Sequence, residues 1–197
     1  LLSLYHSLKN DMFTLAFQPK VQIDNNRIIG VEALLRPRDN SHNISIQQLI
    51  KMAEEAGFIG EITKWVIENS IKQIKEWEKW GLAVKVSINI SLLDLKDDSI
   101  IEFTENCLKL YGVDPSFIEF ELTERSIIED EHRIMDALKR IKEAGIKLSL
   151  DDYGSGYNSL NYLANPILYF DHIKIDKSFI ENITQEQGKL LCEGIIK

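Results

Sequence analysis

Phe117-Ile118-Glu119-Phe120-Glu121-Leu122-Thr123 is a β-rich run, and Lys147-Leu148-Ser149-Leu150-Asp151 is another. Between them Ile134, Leu138 and Ile141 recur at helical period, and Gly145 supplies the stop. Strand, helix, strand is the unit of a parallel sheet with helical crossovers. The same alternation extends outward. Further β-rich runs lie at residues 15–22, 27–36, 83–90 and 172–175. Ile62, Trp65, Val66, Asn69, Gln73 and Trp77 form one mostly apolar helical stripe, ended by Gly81. Ile100, Ile101, Thr104, Cys107, Leu108 and Tyr111 form a second, ended by Gly112 and then Pro115. The class is α/β.

Two α/β architectures compete, an open doubly wound sheet and a (β/α) barrel. The dinucleotide-binding version of the first carries a G-x-G-x-x-G turn after its first strand, and the sequence has none. The first two runs, joined by Ile23-Asp24-Asn25-Asn26, read as an antiparallel hairpin rather than a crossover. A barrel with an irregular first strand fits better. No Gly/Ser/Pro-rich linker interrupts the chain, so residues 1–197 are read as one domain.

Composition narrows the function. The chain has 23 basic and 31 acidic residues, a net charge of -8, which argues against coating a nucleic acid polymer or an anionic membrane. It leaves room for a small phosphorylated ligand at one local site. Cys107 and Cys192 show neither disulfide nor zinc spacing, so a reducing, cytoplasmic setting is expected. No apolar run approaches the ~18 residues of a membrane span, and the opening residues do not resemble a signal peptide. The missing initiator Met suggests a piece of a longer protein, and a membrane anchor elsewhere in that parent is compatible with this segment.

The chemistry lies in where the polar residues fall. Four β-rich runs carry a hard oxygen ligand toward their C-terminal side: Glu32, Asn89, Glu121 and the pair Asp151-Asp152. The sixth carries Lys174. In a (β/α) barrel such groups converge on one rim. An acidic pair by itself means little in so acidic a chain, and Glu54-Glu55 and Asp97-Asp98 read as solvated faces. Acids inside apolar strands are harder to dismiss, although a solvent-facing strand face also accounts for Glu119 and Glu121 together. Two like charges ~4 Å apart repel by roughly 4 kcal/mol at an effective dielectric of 20. Converging carboxylates therefore protonate, shift apart or hold a cation. Carboxylates with an Asn carbonyl suit Mg²⁺, Mn²⁺ or Ca²⁺ rather than zinc. His6, His42, His132 and His172 lack ligand spacing and read as incidental. A divalent site with a nearby lysine suits chemistry on a phosphate ester.

These residues carry a resemblance. Glu32-Ala33-Leu34, within Val31-Glu32-Ala33-Leu34-Leu35-Arg36, resembles the signature of the EAL-domain phosphodiesterases that hydrolyse cyclic diguanylate (c-di-GMP). It is joined in order by Phe17-Gln18-Pro19, Ser87-Ile88-Asn89-Ile90-Ser91 and Glu121-Leu122-Thr123-Glu124. Asp151-Asp152-Tyr153-Gly154-Ser155-Gly156-Tyr157-Asn158-Ser159-Leu160 and Lys174-Ile175-Asp176 complete the set.

The resemblance implies a modified (β/α)₈, TIM-like barrel with an antiparallel first strand. It implies Mg²⁺ or Mn²⁺, two ions when active, with Ca²⁺ substituting or inhibiting. Glu32, Asn89, Glu121 and Asp151 match the family's metal ligands, with Asp151 and Asp152 serving the second ion. Lys174 and Glu32 match catalytic positions, the lysine assisting the attacking water. Gln18, Leu35 and Arg36 match positions that contact the dinucleotide. The segment from Gly154 to Gly156 matches a loop coupling the metal site to a dimer interface. The product is linear pGpG, and the expected partners are a second copy of the chain and a fused sensory or diguanylate cyclase domain.

Tyr153 and Ser155 are mild departures from the family pattern. The larger one is at the C-terminus: residues 185–197 read as the sixth helix, and two further strand-helix units are expected but absent. Cys192-Glu193-Gly194-Ile195 echoes a late family motif too early, so no metal role is given to Glu193. A barrel incomplete at its C-terminus keeps a second class open, a receptor that holds c-di-GMP uncut. An enolase-like barrel with carboxylate-bound Mg²⁺ and a lysine base is the third.

Overall fold

The computed structural model describes residues 13–38, 45–96, 98–124, 131–154 and 169–181, with 131–134 and 180 described by backbone alone. Strands β1 (Phe13–Val21) and β2 (Ile28–Pro37) form the antiparallel hairpin that opens the sheet. Helices α1 (Ile46–Glu55) and α2 (Ile59–Lys79) lead to β3 (Val86–Asn89). The short α3 (Leu92–Leu95) and α4 (Ser99–Tyr111) lead to β4 (Ile118–Thr123), α5 (Glu131–Glu143) to β5 (Lys147–Tyr153), and β6 (His172–Ile175) precedes α6 (Lys177–Glu181).

All six strands run in sequence order in one sheet, and every pair after the hairpin is parallel. Period-two alternation gives each strand a face toward the helices. Val86, Ile88, Ile118, Phe120, Leu122, Leu148 and Leu150 occupy it, each fully buried. Against it pack Ile62, Ile67, Ile71 and Ile74 of α2, Ile100, Ile101 and Leu108 of α4, and Leu138 and Ile141 of α5. Gly112 ends α4 in the left-handed region (φ 63), where its lack of a Cβ removes the strain, and its N–H caps Leu108 O.

The other face curls into a concave interior. Lys20 of β1 donates to Glu121 of β4 at 2.6 Å, and Lys174 of β6 donates to Glu32 of β2 at 3.4 Å. Four strand spacings in a flat sheet amount to about 19 Å, so strong curvature is what brings β2 and β6 together. Among the described residues the edge strands β1 and β6 do not pair, and the curl stays open.

The sequence reading omitted α1 and α3. Both carry a legible start: Ser45 and Gln48 form a capping box on α1, and Ser91 and Asp94 form one on α3. The expected sixth helix at 185–197 lies outside the described residues. No described helix is long and apolar enough to cross a membrane.

Candidate functional site

Glu32, midway along β2, meets Asn89, Glu121, Asp151 and Lys174, which lie toward the C-terminal ends of β3 to β6. Lys174 Nζ donates to Glu121 Oε2 at 2.7 Å, Asp151 Oδ2 at 2.8 Å and Glu32 Oε2 at 3.4 Å. Asn89 donates its side-chain N–H to Glu32 Oε1 at 2.9 Å. Burial disfavours the Lys174 ammonium, but the bonds and charges of Asp151 and Glu121 outweigh it and raise the pKa. The lysine is thus held charged among the acids.

Asp152 stands beside this cluster. The β5–β6 register shifts between Leu150 and Tyr153, and Asp152 takes φ 53, a conformation rare for a non-glycine residue. Its N–H donates to Asp151 Oδ1 at 2.8 Å. Burial raises its pKa, as do the charges of Asp151, Asp176 and Glu32.

Beneath the strand ends lies a second charged layer. Lys20 donates to Glu119 at 2.9 Å as well as to Glu121, and to Ser87. Ser87 donates to Glu119 at 2.7 Å, and His172 Nδ1 meets the other Glu119 oxygen. Burial pushes Glu119 up, but Ser87, Lys20 and the His172 charge outweigh it and hold its pKa below the ordinary value. For Lys20, burial is likewise outweighed by Glu121 and Glu119, and its pKa rises. Glu119 and Glu121 are only 7% and 1% exposed, so a solvent-facing strand does not explain them.

A cavity of about 660 Å³ opens beside the cluster. Leu34, Leu35 and Arg36 of β2, Asn89, Glu121 and Thr123 line its strand side, and Ile46, Ile50 and Val66 line the helix side. Gln18 and Arg36 are exposed, with Gln18 directly opposite Glu32 in the β1–β2 ladder. Arg36 Nη1 donates to Leu35 O at 2.8 Å. Leu35 sits differently. It pairs with Leu15 on the helix-facing side and is 7% exposed, packed in the core while still forming part of the cavity wall. Two-residue alternation puts Leu34, not Leu35, on the face of Glu32 and Arg36.

Glu54 is a further correction to the sequence reading. It is half-buried and lines the cavity with Asp94, and burial followed by the Asp94 charge raises its pKa. Asp98 is exposed and pairs with Arg140, as a solvated face should; Asp97 lies outside the described residues. Of the loop from Gly154 to Gly156 only Gly154 is described, and its N–H donates to the buried Glu124 Oε2 at 2.8 Å. Lys20, Leu34, Glu119 and Glu124 received no site role from sequence. Lys20 was the most legible, two residues after Gln18 and so on the same strand face.

The donor set bears on a cation. Among the described residues no three Asp, Glu, His or Cys side chains are preassembled as a metal cage. The three carboxylates nevertheless already converge on one positive centre, the Lys174 ammonium, with the Asn89 amide alongside. All are hard oxygen donors of the kind that binds Mg²⁺ or Mn²⁺. The residues fit such an ion.

A curled α/β sheet whose parallel strand ends carry acids, a lysine and an adjoining cavity defines a protein of the TIM-barrel-like class. The EAL domain family model matches residues 2–197, and the chain belongs to that family. The signalling protein YkoW of Bacillus subtilis is 33% identical over 98% of this chain, and the cyclic di-GMP phosphodiesterase PA2567 of Pseudomonas aeruginosa is 32% identical over 87%. The chain spans only 24% and 29% of those two proteins. Among solved structures, the PaMucR phosphodiesterase in complex with c-di-GMP superposes with a TM-score of 0.84 at 29% identity. That match covers 97% of this chain and 77% of the other.

Proposed function

We propose that this chain is a metal-dependent phosphodiesterase domain that opens one phosphodiester of c-di-GMP to give linear pGpG. The observation that carries the reading is the convergence of Glu32, Glu121 and Asp151 on Lys174 at the strand ends, beside a cavity of about 660 Å³. Family membership and the relatives above supply the substrate class.

In this reading Glu32, Asn89, Glu121 and Asp151 hold one Mg²⁺ or Mn²⁺, and Asp151 with Asp152 holds a second. When bound, the ions acidify a water and draw charge from the phosphoryl oxygens. Lys174 supplies fixed N–H donors that orient the attacking water and offset charge building on the phosphate. Arg36 pairs with a phosphate oxygen, Gln18 donates or accepts at the rim, and Leu35, with Leu34 beside it in the cavity wall, supplies an apolar contact. The enclosing cavity holds one nucleotide half in place, which lowers the entropic part of the barrier. The same reading carries a homodimer and a fused sensory or cyclase domain in a cytoplasmic setting.

Turnover of c-di-GMP with Mg²⁺ or Mn²⁺, set beside calorimetric binding of the dinucleotide, tests the reading. Release of pGpG that is lost in Glu32→Ala, Asp151→Ala and Lys174→Ala is the expected result. Tight binding of c-di-GMP that stays intact makes the domain a receptor instead, and neither binding nor turnover removes the substrate class.

A further inference from the structure

Glu121 has two carboxylate oxygens, and a different lysine takes each. Lys174 Nζ lies 2.7 Å from Oε2 and Lys20 Nζ lies 2.6 Å from Oε1. The Glu121 side chain is 0% exposed, so neither oxygen has bulk water to fall back on. The two lysines belong to different layers. Lys174 shares the strand-end cluster with Glu32 and Asp151, whereas Lys20 also bonds Glu119 and Ser87, two residues earlier on β4 and β3 than Glu121 and Asn89.

We propose that Lys20 is the positioning residue of Glu121: it holds Oε1 from the deeper layer, so that Oε2 alone is presented to the strand-end site. The inference rests on the functional reading above. A carboxylate on a glutamate stem otherwise turns freely about its last torsion and swings on the two before it. Pinning one oxygen fixes the direction of the other. Lys20 acts without adding net charge to the interior, because Glu119 at 2.9 Å offsets it. It reaches the site from β1, across the curl, and touches none of the Glu32, Asn89 or Asp151 side-chain atoms among its recorded bonds. Outer-layer partners of this kind govern how well a ligand side chain meets its ion, and their loss costs about 10- to 100-fold in metal affinity or activity.

The bland alternative makes Lys20 merely the counter-ion of Glu119. A charge-neutral double variant separates the two. Lys20→Met/Glu119→Gln removes one charge of each sign, and measured against Glu119→Gln alone it isolates the loss of the Lys20 bonds to Glu121 and Ser87. Mn²⁺ binding by calorimetry on the whole chain, beside c-di-GMP turnover, is the measurement, with Glu119→Gln alone as reference. The expected result is Mn²⁺ affinity and kcat each down about tenfold or more in the double variant, with KM within about threefold. Glu119→Gln stays near wild type. Wild-type Mn²⁺ affinity and kcat in the double variant overturn the proposal, and so does an equal loss in Glu119→Gln. Should the double variant not fold, Lys20→Gln, with a shorter donor, replaces it and the same loss is expected; unchanged Mn²⁺ affinity there overturns the proposal. A wild-type chain that binds Mn²⁺ but leaves c-di-GMP intact defeats the hydrolytic reading, while the calorimetric comparison still decides Lys20. A wild-type chain that binds no Mn²⁺ defeats both.

Discussion

Lys174 of β6 and Glu32 of β2 stand 3.4 Å apart although three strands lie between theirs in the sheet. Curvature alone brings them together, and it brings Glu121 and Asp151 to the same ammonium. Lys174→Met therefore leaves three carboxylates without their shared cation. In EDTA the variant is expected to lose about 2 kcal/mol of stability, and urea unfolding with and without Mn²⁺ measures it. Added Mn²⁺ should recover part of that loss while turnover stays at least about 100-fold down. A variant as stable as wild type in EDTA speaks against the cluster.

Glu121→Gln keeps the shape of the side chain and removes its charge. If Glu121 is an ion ligand, Mn²⁺ affinity falls by at least about tenfold, read by calorimetry. Stability without metal should also fall, because Lys20 and Lys174 each lose a charged partner. Unaltered Mn²⁺ affinity removes Glu121 from the ligand set.

Leu34 and Leu35 are adjacent in sequence and opposite in structure. Leu35→Ala empties a buried position that also lines the cavity, so it is expected to cost about 2–4 kcal/mol together with a loss of c-di-GMP affinity. Leu34→Ala removes an apolar wall of the cavity. It should weaken c-di-GMP binding several-fold at a stability cost of about 1 kcal/mol or less. Thermal unfolding and calorimetry on both variants check the assignment, and a larger stability loss in Leu34→Ala refutes it.

Asp171 ties β5 to α5. Its carboxylate accepts from Lys142 at 2.6 Å, Lys147 at 3.0 Å and the Leu148 N–H at 2.9 Å. Burial acts to raise its pKa, but these bonds outweigh it and hold the group at about 2. A pKa lower in the folded than in the unfolded state stabilises the fold above pH ~4 and loses that contribution as pH falls toward 2. Asp171→Asn should therefore be less stable than wild type by roughly 1–2 kcal/mol at pH 6, allowing for solvent screening. The gap should close by about pH 2. Urea midpoints at both pH values measure it; a gap that widens on acidification contradicts the assignment.

Much of the fold was legible because its signals are local. The six β-rich runs match the six strands to within a few residues, and the glycine stops at Gly112 and Gly145 fall where α4 and α5 end. The α1 start is equally local, a capping box at Ser45 and Gln48. Site residues at strand ends were legible for a related reason. Hard oxygen donors within or directly after apolar runs have few roles other than meeting at a barrel rim.

By itself the sequence determined which residues form strands and helices, which share a strand face, and which chemical groups end the strands. Those follow from backbone periodicity, capping and turn chemistry, all set within a few residues. Only the tertiary structure decided what each face meets. Alternation could pair Glu119 with Glu121, but not say whether water or Lys20 lay opposite. It could separate Leu34 from Leu35, but not say which one faced the core. It could not join Lys20 to Glu121, 101 positions along the chain. Those contacts depend on how far the whole sheet curls, which is fixed by the packing of every helix against its outer face and not by any one segment.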